Sequence, residues 1–103
     1  AVGAVVGQIR ASVSVFVTVP EEGIFVVNGA GESLRLLDEG RAFAEARGRA
    51  ERAALEAAQK SGAESPVVMV MEDIAAPEIE GTRKLIEARF VAVASGRPRI
   101  AHH

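Results

Sequence analysis

The stretch from Asp38 to Gly62 constrains this chain most, because its apolar and charged residues recur at helical spacing along its whole length. Phe43, Ala46, Ala50, Ala53 and Ala57 fall at steps of three and four, which places them on one helical face. Arg41, Glu45, Arg49, Arg52, Glu56 and Lys60 fall on the other. The pairs Arg41/Glu45, Glu45/Arg49, Arg52/Glu56 and Glu56/Lys60 each join opposite charges at i,i+4, worth about 0.2–0.5 kcal/mol on an exposed face. Asp38 can cap the first turn with its carboxylate, Glu39 complements the positive end of the helix dipole, and Ser61-Gly62 supplies the stop. The spacing predicts a helix from Glu39 to Ser61. Its stripe is nearly all alanine, so its backbone must lie close against something flat, with Phe43 as the one large anchor. A β-sheet is the natural partner.

The flanking sequence supplies that sheet. From Ile9 to Val19, Val13, Val15, Val17 and Val19 alternate with Ser12, Ser14, Phe16 and Thr18, the pattern of a strand with one buried and one partly wet face. Pro20-Glu21-Glu22-Gly23 reads as a turn, Ile24 to Val27 as a second and central strand, Asn28-Gly29-Ala30-Gly31 as a break, and Ser33 to Leu37 as a third strand. Short turns between successive strands make an antiparallel meander. After the helix, Val67 to Met71 reads as a strand. Asp73 to Gly81 reads as irregular because of Pro77 and Gly81. Thr82 to Ser95 reads as the longest strand, with Ile86, Ala88, Phe90, Ala92 and Ala94 on one face. The expected fold is α+β, a mostly antiparallel sheet of order β-β-β-α-β-β with one long helix packed on it.

The organisation expected along the chain has three parts. Residues 1 to 8 read as the tail of a helix from a preceding domain, Gly3 and Gly7 giving it a small-residue face; the other reading runs the segment directly into the first strand. Residues 9 to 101 form the α+β domain, and His102-His103 read as a tag remnant. If the first segment is a severed helix, Val2, Val5 and Val6 have lost their cover. They are then expected either to fray or to enter a contact between chains, with a homodimer of the fragment as one outcome.

Composition excludes several functions. With 103 residues, the chain can bury one core. Twelve basic against fourteen acidic residues give a net charge of −2, with no basic footprint for nucleic acid and no polybasic segment for a membrane. There is no cysteine to serve as nucleophile, disulfide or zinc ligand, and no apolar run of the roughly 20 residues a helical membrane span needs.

Each stretch that could carry chemistry has a plainer reading. Asn28-Gly29-Ala30-Gly31 suggests a phosphate loop, but a strand follows where a helix N-terminus is needed, so a hairpin turn is the better reading. Glu72, Asp73, Glu78 and Glu80 offer four carboxylates without the spacing of a calcium loop, and read as a solvated acidic loop. Arg97-Pro98-Arg99 reads as an exposed strand end, and Glu87 and Arg89 as partners of charges on a neighbouring strand. The only histidines are His102 and His103, so no Ser/His/Asp set can be assembled. No residue is assigned a catalytic, cofactor-binding or metal-ligating role, and no cofactor is expected.

Several stretches together carry a resemblance. Ala1-Val2-Gly3-Ala4-Val5-Val6-Gly7, the Val/Ser strand, Ala76-Pro77-Glu78-Ile79-Glu80-Gly81, Glu87-Ala88-Arg89 and Ala94-Ser95-Gly96-Arg97-Pro98-Arg99 occur in an order that resembles the C-terminal end of the hydantoinase A/oxoprolinase family. That family includes N-methylhydantoinase-type and acetone-carboxylase-type large subunits. The resemblance implies a small α+β domain that follows an actin-like ATPase core, with Ala1-Val2-Gly3-Ala4 matching the end of the core's last helix. It also implies a cytoplasmic subunit of an ATP-dependent enzyme that opens cyclic amides such as hydantoins or 5-oxoproline. The family's nucleotide- and metal-binding residues belong to the core and transfer to no position here. The partners implied are the rest of the same large subunit and a second subunit. The other reading is a stand-alone interaction domain that binds a protein through its sheet face or edge.

Overall fold

The structure, a computed structural model, describes residues 8–98. Three strands open the chain: β1 (Ile9–Glu21), β2 (Ile24–Asn28) and β3 (Leu34–Leu36). The helix α1 (Glu39–Lys60) follows, and then β4 (Ala63–Ala75), β5 (Glu78–Ile79), β6 (Thr82–Arg83) and β7 (Glu87–Pro98). Five strands form one sheet in the order β3-β2-β1-β7-β4, antiparallel throughout. The two-residue strands β5 and β6 pair separately as a small hairpin arm in the β4–β7 connection. The fold is α+β, with one helix on one face of an antiparallel sheet.

Alternation along the strands decides which side chains the helix covers. Val15 pairs with Phe90 and Val17 with Ala88 across β1 and β7, while Val27 of β2 pairs with Val17. All five are fully buried. Burying each valine is worth about 1.5–3 kcal/mol, and β-branched residues suit the pleat. Opposite them, α1 buries Ala42, Ala46, Ala50, Ala54 and Ala58. Phe90 is the one fully buried aromatic, meeting Phe43 edge-on with ring centroids 5.5 Å apart. Because the facing residues are mostly alanine, the two layers approach closely, and Phe90 fills the space that remains.

The buried stripe is therefore not quite the one the spacing predicts. Ala46 and Ala50 hold, but Ala42, Ala54 and Ala58 replace Phe43, Ala53 and Ala57, which are half-buried at the flanks. The reason is geometric. Steps of three and four follow the helix axis, whereas steps of four alone follow a row inclined by about 26° to it. α1 rests on that inclined row, which holds five alanines and no larger residue. The caps form as expected: the Asp38 carboxylate accepts a 2.8 Å hydrogen bond from Arg41 N–H, and the Ser61 N–H donates to Ala57. Of the four expected ion pairs, Glu45–Arg49 closes at 2.8 Å and Glu56–Lys60 at 3.6 Å.

The second half of the sheet also differs from expectation. Val67–Met71 is the middle of a thirteen-residue strand, and regular pairing continues through Asp73 to Ala75 where an irregular loop is expected. The long strand expected from Thr82 to Ser95 is two: β6 ends at Arg83, and β7 begins at Glu87. Ile86 consequently lies outside β7, more than half exposed, although Ala88, Phe90, Ala92 and Ala94 share the buried face as expected. The turn at Glu80-Gly81, with φ of 52° and 78°, folds the arm back before Thr82, a reversal that hydrophobic periodicity does not signal. Ala1 to Gly7, Arg99, His102 and His103 lie outside the described residues, and so do the expectations placed on them.

Candidate interaction surface

The helix covers one face of the sheet, and the opposite face, here the outer face, is where unassigned chemistry could reside. Register places its side chains in rows across β1, β7 and β4: Ser12–Val93–Met69, Ser14–Val91–Met71 and Phe16–Arg89–Asp73. β4 contributes the most exposed apolar residues, with Val67 at 67%, Met69 at 70% and Met71 at 57% exposure. Val91 and Val93 are half-buried beside them, and Phe16 stands at the rim. The same rows end on β1 in the small hydroxyls Ser12 and Ser14, with Val93 and Val91 of β7 between them and the methionines. Apolar residues clustered on one exposed sheet face mark an interaction surface more often than scattered single residues do.

Charges border this strip. At one end, Asp73 and Arg89 face each other across β4 and β7 at 3.7 Å; both are exposed, so the pair contributes at most about 1 kcal/mol. Glu87 lies in the next row, between Thr18 and Ala75. At the other end Arg10 pairs in register with Ser95, and Arg97 with Glu64. Arg89 does find its partner on a neighbouring strand, as the alternation implies.

The four carboxylates are dispersed by the fold. Glu72 points toward the helix side and is ion-paired with Arg47 of α1, while its neighbour Asp73 points to the outer face. Glu78 lies on the arm and Glu80 at its turn. Among the described residues, no three acidic or histidine side chains converge as a cation site. No helix among them is long and apolar enough to cross a membrane.

The glycine-rich segment after β2 is a buttressed turn. Asn28 donates weakly to Thr18 Oγ1 at 3.4 Å and accepts from Ser33 Oγ at 2.7 Å. Arg49 of α1 reaches across to donate to the Glu32 carbonyl at 2.6 Å and the Gly29 carbonyl at 3.4 Å, while its Nε holds Glu45. Gly29 has φ of +113°, and a Cβ there would stand 2.9 Å from the Ser14 carbonyl oxygen. Carbonyls and a guanidinium thus fill the space that a phosphate cradle would need for free N–H groups. Arg97 and Pro98 border a shallow depression of about 540 Å³ with Gln8, Glu64, Ser65, Val67, Ser95 and Gly96. A second depression of about 380 Å³ lies between the β1–β2 turn and the β5–β6 arm, with Glu22, Glu39, Glu80, Arg83 and Lys84 along its walls. Both open broadly to solvent.

The outer-face residues Val67, Met69, Met71 and Phe16 were not recognisable as a surface from sequence. Val67 to Met71 is an unbroken apolar run, the usual signature of a strand covered on both faces. Its placement at the sheet edge is a property of topology. Comparison with known proteins adds no relative: no family model, curated protein or solved structure matches this chain.

Proposed function

We propose that this chain is a non-catalytic docking domain. In this reading it serves as the C-terminal accessory module of an ATP-dependent subunit of the hydantoinase/5-oxoprolinase type, working in the cytoplasm. The observation that carries the docking role is the outer sheet face, where Val67, Met69 and Met71 stand exposed beside Val91 and Val93. A two-layer domain leaves one sheet face open; here that face carries an apolar strip along β4 and β7 with charges at both ends of the strip, as interaction surfaces pair an apolar core with a polar rim. The parent enzyme is inferred from the resemblance of Ala1–Gly7, Ala76–Gly81 and Ala94–Arg99 to that family. In this reading the outer face packs on the rest of the same large subunit, and the hydrolytic chemistry belongs to the actin-like core.

The experiment has two arms. If the gene's reading frame continues upstream, it is expected to encode an actin-like ATPase core; a frame without one removes the hydantoinase assignment. The core produced separately and mixed with this chain is expected to form a complex that Phe16→Glu weakens at least tenfold, since that change puts a charge on the outer face. A complex indifferent to Phe16→Glu would refute docking through this face. The second reading, a stand-alone interaction domain, rests on the same face and survives the loss of the first arm alone.

A further inference from the structure

The two edges of the sheet are unequal. β3 contributes three residues, Leu34–Leu36, whereas β4 exposes an edge of thirteen, Ala63–Ala75. Long edges are usually guarded against strand addition by a central lysine, a proline or a bulge. β4 has a proline and a bulge only near its start, where Ser65 (φ 47°) and Pro66 sit between Glu64 and Val67, and toward its other end carries charge only at Glu72 and Asp73. The five residues between, Val67-Val68-Met69-Val70-Met71, contain no charge, proline or glycine.

From this edge we infer that two copies of the chain associate by pairing their β4 strands antiparallel about a two-fold axis at Met69. This deepens the docking reading by naming a partner for the edge, and it leaves the outer face free for the docking proposed above. Self-complementarity selects the partner. With the axis at Met69, Met69 meets Met69, Val68 meets Val70, and Val67 meets Met71, so every apolar residue of the run opposes another. Shifting the axis by one residue toward Val70 sets Val68 against Glu72 and Val67 against Asp73. In the favoured register those carboxylates oppose Pro66 and Ser65, and no like charges meet. Each is also held within its own copy, Glu72 by Arg47 and Asp73 by Arg89, which further lowers repulsion across the axis. An isologous contact requires this match of a surface with itself. Antiparallel edge pairing about such an axis keeps equivalent faces on the same side. The product is a continuous ten-stranded sheet, two copies of the five-stranded one, with both helices on one face. The exposed Val67, Met69 and Met71 of both copies become its centre, and two half-strips of apolar surface merge into one.

The test is solution mass together with a charge swap at the axis. The wild-type chain is expected to run at twice the 10.8 kDa of one copy in light scattering or sedimentation equilibrium. Met69→Lys and Met69→Asp each set a charge against itself and are expected to run as monomers. An equimolar mixture of the two variants is expected to regain the doubled mass, because lysine then faces aspartate. Met69 is 70% exposed, so both variants should keep the wild-type circular dichroism. Should either unfold, amide exchange of the wild type decides the matter: protection at residues 67–71 must rise with protein concentration. Phe16→Glu, two strands inward on the outer face, is expected to leave the mass doubled, so loss of docking and loss of the dimer are separate results. A wild-type monomer at its highest soluble concentration overturns the proposal. So does a dimer that survives Met69→Lys, or a variant mixture that stays monomeric.

Discussion

Phe90→Ala is expected to remove a large share of this domain's stability. Phe90 is fully buried in the first half of β7, between Ala88 and Ala92 along the strand and opposite Val15 on β1. Phe-to-Ala changes in cores cost about 3–5 kcal/mol, depending on how far the surroundings collapse into the space left. Here the helix row facing the sheet is all alanine, and Phe43, already in edge-on contact, is the large side chain nearest the space left, so the loss should sit in the upper half of that range unless that ring moves in. A domain of this size has about 5–15 kcal/mol in total. With a urea m-value of about 1–3 kcal/mol per M, a loss of about 4 kcal/mol lowers the midpoint by more than about 1 M. The chain has neither Trp nor Tyr, so the transition is best followed by far-UV circular dichroism. Phe43→Ala should cost roughly half as much, because Phe43 is only partly buried, and the double variant should reveal a coupling of about 0.5–1.5 kcal/mol from the edge-on ring contact. A loss below about 2 kcal/mol for Phe90→Ala would mean that the helix settles onto the sheet when the ring is removed, and the argument from an alanine row that cannot collapse would fail.

Three further changes probe local chemistry. Gly29→Ala combines a φ of +113° with a Cβ placed 2.9 Å from the Ser14 carbonyl, and should destabilise by more than about 2 kcal/mol in thermal or urea unfolding. Arg49→Lys keeps the charge but not the fork that spans the Glu32 and Gly29 carbonyls and Glu45; a loss of about 1–2 kcal/mol is expected, with faster amide exchange in residues 28–33. Asp38→Ala removes the cap on Arg41 N–H and should cost about 0.5–2 kcal/mol, whereas Asp38→Asn should restore most of it.

The local elements were legible in the sequence because their causes are local. Asp38 and Ser61-Gly62 bound α1 through short-range hydrogen bonds, and the valine alternation of β1 follows from the two-residue period of a strand. The inward face of β7 from Ala88 to Ala94 was legible for the same reason.

Tertiary structure decided the rest. Whether α1 buries Phe43-Ala53-Ala57 or Ala42-Ala54-Ala58 depends on the angle at which it crosses the sheet, and two alanine rows on one helix look alike until that angle is set. Asp73 to Ala75 extends as a strand because β7 continues alongside to accept its hydrogen bonds, which its own side chains do not announce. The acidic residues read together in sequence are parted because Glu72 and Asp73, as neighbours in a strand, point to opposite faces. The candidate surface arises in the same way. Val67 to Met71 has the composition of a covered strand, and only the strand order places it at an edge, with one face open and, among the described residues, its backbone unpaired along one side. Sequence alone determined that this chain builds an alanine-faced helix on a valine-rich antiparallel sheet; long-range pairing decided which strand faces the solvent, because register and strand order are set by contacts between residues far apart in the chain.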